Sequence, residues 1–388
     1  MAQRRPGRLH RPLQRADAGS DGRAVAGIAG NVTARGTVTS PVLLRVLRVI
    51  PGAPEALRAE LEGVDANALV YAASRHGLAG LLDHWLSAAQ KTLPALASEN
   101  LRRQVHATMA GGMRLRRLLS RANEALRMKG VGPVLLKGYG LGVRLYPAPL
   151  LRPSSDVDLL VAPDEMEAAR AALLSLGLSP KQDSDDYYPP AYRHHEAFAG
   201  SPGMVELHFR LMANWGSAWD GAGVLSRAIS TSLEGLKVRY LCPEDEFVYL
   251  ALHAANHMLG RLGWLYDLKL HILANPSLDW DRVVETAHEA RMPAPAFYAM
   301  DASVRMVGAA VPETVLQALA PSRIAVAAAR LLFSEQHLVE SYLDNHKGVW
   351  AAAKVLLADS PPSVVLFAAR RLVWHGRRAA LQRLGSIS

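Results

Sequence analysis

The period of the apolar positions changes twice along this chain. From 41 to 130 apolar residues recur every three or four positions, most clearly over 70–86 and 101–128, and that spacing predicts helices. Pro54-Glu55-Ala56-Leu57 reads as a helix start, and Gly130-Val131-Gly132-Pro133 stops the last helix of the series. From 131 to 242 short leucine and β-branched runs alternate with helical stretches. Strands are predicted at 134–137, 156–161, 193–199, 204–211 and 237–241, and helices at 138–145 and 164–176. Gly177 ends the second of these helices. Gly200-Ser201-Pro202-Gly203 joins two of the strands as a hairpin. From Pro243-Glu244-Asp245-Glu246 the helical period returns. Residues 1–40 are rich in Arg, Gly, Ala and Ser with almost no period, and a disordered basic tail is expected there. The division expected is therefore a tail (1–40), an N-terminal helical region (41–130), an α/β core (131–242) and a C-terminal helical region (243–388).

Composition narrows the class. Half of the 388 residues are apolar, enough to bury a large core in several subdomains. The net charge of +9 admits an anionic partner. It is spread along the chain and lacks interleaved aromatic residues, so no nucleic-acid partner is expected. Charge rises at both ends, and the arginine-rich, amphipathic segment 364–384 admits weak contact with an anionic membrane surface. One cysteine, Cys242, excludes an internal disulfide and a Cys-rich zinc site, and suits a reducing cytoplasm. Neither an eighteen-residue apolar run nor the apolar core of a signal peptide is present, so no membrane span is expected.

Chemistry concentrates between Val134 and Pro163. Asp156 and Asp158 stand two apart in a strand-like run, so both carboxylates face one side, roughly 7 Å apart along the backbone. Such a pair can hold hard cations, and two cations can clamp the attacking and leaving oxygens of a phosphoryl displacement. Leu136-Lys137-Gly138 lies upstream, then Tyr146-Pro147, then Arg152-Pro153-Ser154-Ser155-Asp156-Val157-Asp158-Leu159-Leu160-Val161. Together with Ser74-Arg75-His76-Gly77-Leu78, Val205-Glu206-Leu207-His208 and Leu252-His253-Ala254-Ala255-Asn256-His257, this order resembles the DNA polymerase β-like nucleotidyltransferase superfamily. More narrowly it is similar to a bacterial family of uncharacterised nucleotidyltransferases, often found beside polysaccharide or peptide natural-product genes.

The resemblance implies an α+β fold, a polymerase β-like mixed sheet flanked by N- and C-terminal helical regions. It implies a metal-dependent transferase that moves an NMP from an NTP to an acceptor and releases pyrophosphate. The acceptor would be a small molecule, peptide or glycan precursor in natural-product or polysaccharide biosynthesis. Two Mg²⁺ ions, or Mn²⁺, would be held by Asp156, Asp158 and a third carboxylate, Glu206, with Glu196 as the substitute. Gly138 would let the backbone approach the phosphates. The superfamily turn is usually Gly-Ser or Gly-Gly; here Tyr139 follows, and Tyr139 is included among the nucleotide contacts. Lys137 is open to two readings, a phosphate contact or an ion pair with one of the acids. Arg152 is likewise either a phosphate clamp or a structural ion pair. His208 shares the face of Glu206. His253 and His257 stand four apart on one helix face, without the glutamate of a zinc protease helix, so an acceptor contact or a buried hydrogen bond is expected before zinc. Asp267 joins them as a candidate. The alternatives are a catalytically degenerate nucleotide- or partner-binding protein, and a membrane-surface scaffold acting through 364–384.

Overall fold

A mixed seven-stranded sheet carries the acidic residues. In this computed structural model the described residues are 40–52, 54–181, 193–201, 203–214, 216–340 and 347–359, with isolated positions from 362 to 373. The expected tail (except Ser40) and most of the 364–384 segment lie outside them. The strands are β1 (Val134–Leu135), β2 (Val157–Leu160), β3 (Ser179–Lys181), β4 (His195–Gly200), β5 (Gly203–His208), β6 (Arg210–Asn214), β7 (Ser217–Asp220), β8 (Ile229–Leu233) and β9 (Leu236–Tyr240). The sheet order is β3-β4-β5-β2-β1-β9-β8, and β6–β7 is a separate antiparallel ribbon. The pairs β2–β5 and β1–β9 are parallel; the other pairs are antiparallel.

Alternation along the strands gives the sheet two unlike faces. Val157, Leu159, Val205 and Leu207 point to one side. They pack with Leu115, Leu118 and Leu119 of the long helix Ala95–Met128 and with Ala169 and Leu173 of the helix Met166–Ser175. Each such side chain, fully buried, contributes roughly 1.5–3 kcal/mol. Asp158, Leu160, Glu206 and His208 alternate with those residues and lie on the other side. Leu160 there belongs to the larger core, which includes Phe247 and Leu250 of the helix Pro243–Asn256 and Leu265 of the helix Leu262–Ala274.

The N- and C-terminal helical regions that flank the sheet share one core. Short N-terminal helices, Ser40–Val49, Pro54–Glu60, Ala66–Arg75 and Ala79–Ala88, share their core with the C-terminal helix Pro293–Val307. Lys269 ties the two regions: its buried ammonium donates to Leu47 O (2.8 Å), Arg48 O (3.1 Å) and Ile50 O (2.7 Å), where the first helix ends. All three donors are thereby satisfied, which offsets much of the cost of burying the charge; burial pulls its pKa down to about 8. From the N-terminal region, the long helix Ala95–Met128 reaches the back of the sheet.

One expected run proves to be two helices. The apolar period over 70–86 is interrupted at His76-Gly77, where Gly77 takes φ +71°. A Cβ on Gly77 would lie 3.1 Å from Pro153 Cγ, so this bend touches the loop that precedes the acids. The His76 carbonyl accepts from Gly263 N (3.2 Å), and the His76 ring bridges Val339 O (2.8 Å) and Leu262 N (3.3 Å). Sequence patterning missed β3, β6, β7 and β8, which are short or exposed and lack a regular apolar period. Among the described residues no single helix is long and apolar enough to cross a membrane.

Candidate active site

Register places the acids side by side. Asp158 on β2 is the direct partner of Glu206 on β5. Neighbouring strands lie about 4.8 Å apart, so the two carboxylates share one small volume. Leu136 N donates to Asp158 O (3.2 Å), extending the β1–β2 ladder and setting Lys137 beside the acids. Lys137 Nζ is 3.1 Å from Asp158 Oδ1. His208 Nε2 is 3.3 Å from Asp158 Oδ1 and 3.6 Å from Glu206 Oε2. Asp158, Glu206 and His208 each offer a ligand atom within 4.8 Å of the others. Asp156, half-buried just before β2, is in neither of the two three-residue ligand groups found among the described residues.

Electrostatics separates the three carboxylates. Burial would raise the Asp158 carboxyl, but Lys137 and the His208 hydrogen bond outweigh it and hold the pKa below the ordinary range. Glu206 is likewise lowered: burial opposes, and His208, His195 and Lys137 prevail. Asp156 is pushed up to about 7, first by burial and then by the negative charge of Asp158. Burial opposes the charged forms of His208 and Lys137, yet their acidic partners raise both pKa values. One feature of the cluster is incomplete: Asp158 Oδ2 is buried with no hydrogen-bond partner. A buried carboxylate oxygen without a donor is costly, and a bound cation removes that cost. The oxygen donors suit a hard divalent ion.

Gly138 turns the chain from Lys137 into the helix Tyr139–Leu145 with φ +67°. A Cβ there would sit 3.0 Å from Ser154 Oγ, so glycine is what lets the turn lie against the acid-bearing loop. Two expected nucleotide contacts are committed elsewhere. The Tyr139 side chain is buried with the back-face core, and its hydroxyl donates to Glu234. Arg152 is buried in a bidentate pair with Asp267, Nη2–Oδ2 2.7 Å and Nε–Oδ1 3.0 Å, and Tyr146 OH donates to the same carboxylate at 2.7 Å. Of the two readings of Arg152, this geometry is the structural ion pair, and it engages Asp267 as well. The pair pins the loop before Asp156 to the helix Leu262–Ala274. Glu196, the substitute acid, pairs with Leu207 in the ladder and so faces the opposite side; it binds Arg170 at 2.6 and 2.8 Å.

The helix Pro243–Asn256 covers the acidic face. Lys137 is the charged neighbour that acts most on buried Tyr249 and on buried His253, whose pKa burial drives well down. The helix ends before Gly260, and the next begins at Leu262, so Asp267 lies on a separate element from His253. His257 is exposed. Its ring lies 4.7 Å from that of His253 and 4.8 Å from Trp264, and Arg261 stacks over Trp264 at 5.3 Å.

Sequence reasoning overlooked Tyr249, Trp264, His194 and His195. For His195 a signal existed. The hairpin pairs Gly200 with Gly203, and counting five residues outward on each strand sets His195 opposite His208. Tyr249 and Trp264 gave no such signal, because an aromatic residue on a helix is ordinarily core.

Two solved structures are similar to part of this chain. One is the solution structure of the antibiotic-resistance factor ANT(2'')-Ia, at 15% identity over 45% of this chain and 90% of that one, with a TM-score of 0.33. The other is the crystal structure of ANT(2'')-Ia in complex with adenylyl-2''-tobramycin, at 13% identity over 45% and 95%, with a TM-score of 0.34. At these values the likeness assigns no substrate to this chain. No curated protein matches it. The family model described as uncharacterised nucleotidyltransferase matches residues 62–308, which takes in the Gly77 bend, the Gly138 turn, all nine strands and both covering helices. With nearly two thirds of its length matched, this chain belongs to the uncharacterised nucleotidyltransferase family.

Proposed function

We propose that the chain transfers an NMP from an NTP to a small-molecule, peptide or glycan hydroxyl and releases pyrophosphate, with Asp158 and Glu206 as the central metal ligands. The observation that carries this reading is the direct pairing of Asp158 with Glu206 on parallel strands, with one buried Asp158 oxygen lacking a donor. Asp156 completes the set from the loop end of β2. Divalent cations, Mg²⁺ by the hardness of the donors, would supply neutralisation of phosphate charge and alignment of the attacking oxygen. Lys137 sits between the acids and the Gly138 turn, where its ammonium holds Asp158 ionised and adds positive charge next to the phosphates. Gly138 keeps that turn free of side chain, so backbone can approach the triphosphate. Arg152, Tyr146 and Asp267 position the acid loop and do not touch substrate. Exposed His257, beside half-buried Trp264 and Arg261, offers flat groups next to the acidic face, suited to stacking on a planar or cyclic group.

The test is pyrophosphate release from each NTP in turn, with Mg²⁺ or Mn²⁺, beside mass spectrometry of metabolite extracts for products heavier by one NMP. Metal-dependent release that needs an extract component, and is lost in Asp158→Asn, is the result expected. Mg-nucleotide binding without any adduct across NTPs and extracts would favour the degenerate binding protein.

A further inference from the structure

Carboxylates alone do not explain the imidazoles beside them. His195 and His208 oppose each other across β4 and β5, both buried, with ring centroids 5.1 Å apart. His194 closes the group, 4.5 Å from the His195 ring and 5.5 Å from the His208 ring. One ligand nitrogen of each lies within 4.8 Å of the other two. Their supports are firm. His195 and His208 sit in paired strands, and the His194 carbonyl accepts from both Phe209 N (3.0 Å) and Arg210 N (3.2 Å). Arg210 Nη1 also donates to Arg193 O (2.9 Å).

Two ring nitrogens face each other: His195 Nδ1 and His194 Nε2 are 3.2 Å apart. His208 Nδ1 is buried with no hydrogen-bond partner. Ligand nitrogens about 2.0–2.1 Å from a tetrahedral zinc ion stand roughly 3.3 Å from one another, so the His194–His195 spacing already matches one edge of that tetrahedron.

We propose that His194, His195 and His208 form a site for a borderline divalent transition metal of the zinc type. Glu206 stands outside this donor set, at the other ring nitrogens: its Oε1 lies 4.0 Å from His195 Nε2 and its Oε2 3.6 Å from His208 Nε2. Imidazole selects zinc, cobalt, nickel or copper over magnesium, whereas the neighbouring carboxylates select hard ions. A metal held by the three imidazoles uses neither Glu206 nor Asp158 as a ligand. The proposal stands on nitrogen donors and does not need the nucleotidyl-transfer reading.

The experiment is titration of the metal-stripped full chain with Co²⁺ in excess Mg²⁺, read by visible absorption and calorimetry. One Co²⁺ per chain is expected, with the intense visible bands of a tetrahedral site, displaced by Zn²⁺ and indifferent to Mg²⁺. His194→Ala and His195→Ala should each weaken Co²⁺ about a hundredfold, with circular dichroism checking that they fold; His195→Gln is the gentler second variant. Asp158→Asn should leave Co²⁺ affinity within a few-fold. No stoichiometric Co²⁺, Co²⁺ displaced by Mg²⁺, or Co²⁺ bound equally well by folded His194→Ala and His195→Ala would each overturn the proposal. Because the readout is Co²⁺ and not transfer, failure of the transferase reading leaves this result intact, and the converse holds.

Discussion

Acidifying this protein should weaken it through one named side chain, His76. The residue is fully buried, and its ring has both nitrogens occupied. A carbonyl can only accept, so Nε2 carries the proton and donates to Val339 O; Nδ1 must then accept from Leu262 N–H. Protonating Nδ1 would break the second bond, bury a charge and set it near Arg75 and Arg261. Burial is the largest cause, and the pKa falls from 6.5 to about 4. The unfolded chain therefore binds a proton between pH 6.5 and 4 that the folded chain refuses. Stability is full above pH 6.5, falls as pH drops through that window, and loses nothing more from this group below about pH 4. At 1.36 kcal/mol per unit, the loss is at most about 3 kcal/mol.

Other groups titrate in the same window, so the assay is a difference. Urea unfolding at pH 7.5, 6.5, 5.5 and 4.5 would compare wild type with His76→Gln, whose amide can still donate and accept but does not ionise. At pH 7.5 the variant should be less stable by about 1–2 kcal/mol, for imperfect hydrogen bonds. By pH 4.5 that gap should have closed or reversed. Parallel pH profiles for the two proteins would refute the reasoning, because they would mean that His76 is not held neutral by the fold.

The Ser74–Leu78 motif illustrates what the sequence offered and what it withheld. Its residues matched a family pattern that named no role for any of them. In the structure they are supports: Gly77 makes room for Pro153, and His76 seats the start of the helix Leu262–Ala274. Arg152 and Tyr146 follow the same logic, converging on Asp267 more than a hundred residues away. No local spacing reveals a partner at that distance. By contrast, the Asp158–Glu206 pairing was legible, because a polar residue flanked by apolar ones in a buried strand needs a polar reason. The hairpin glycines set the β4–β5 register, which puts Glu196 on the other face. The merged helical core was illegible for a different reason. Amphipathic period shows that a helix has an apolar face, and it does not name the helix that will cover it.

The remaining predictions separate chemistry from support. Asp158→Asn should lower transfer about 10³-fold, as loss of a preorganised charge does; near-normal turnover would remove Asp158 from the site. Glu206→Gln should lower kcat while Mg-nucleotide affinity, read by calorimetry, stays within a few-fold; equal losses in both would place Glu206 on the nucleotide. Cys242 is half-buried, and burial pushes its thiol up to about 11. It should carry about a hundredfold less thiolate than an unburied thiol and react with iodoacetamide correspondingly slowly until urea is added. Arg152→Ala gives the sharpest contrast, because Arg152 admitted two readings from the sequence. As half of a buried bidentate pair, its removal leaves the Asp267 carboxylate in the core with only Tyr146 OH, and breaking such a pair costs about 3–5 kcal/mol. Arg152→Met with Asp267→Leu removes both charges together and should recover most of that loss. Urea midpoints for the single and double variants read the coupling directly, and Mg-nucleotide binding below the melting range should be little changed in the double variant. Unaltered stability with weakened nucleotide binding in Arg152→Ala would reverse the assignment, making the guanidinium a phosphate ligand whose bond to Asp267 is incidental.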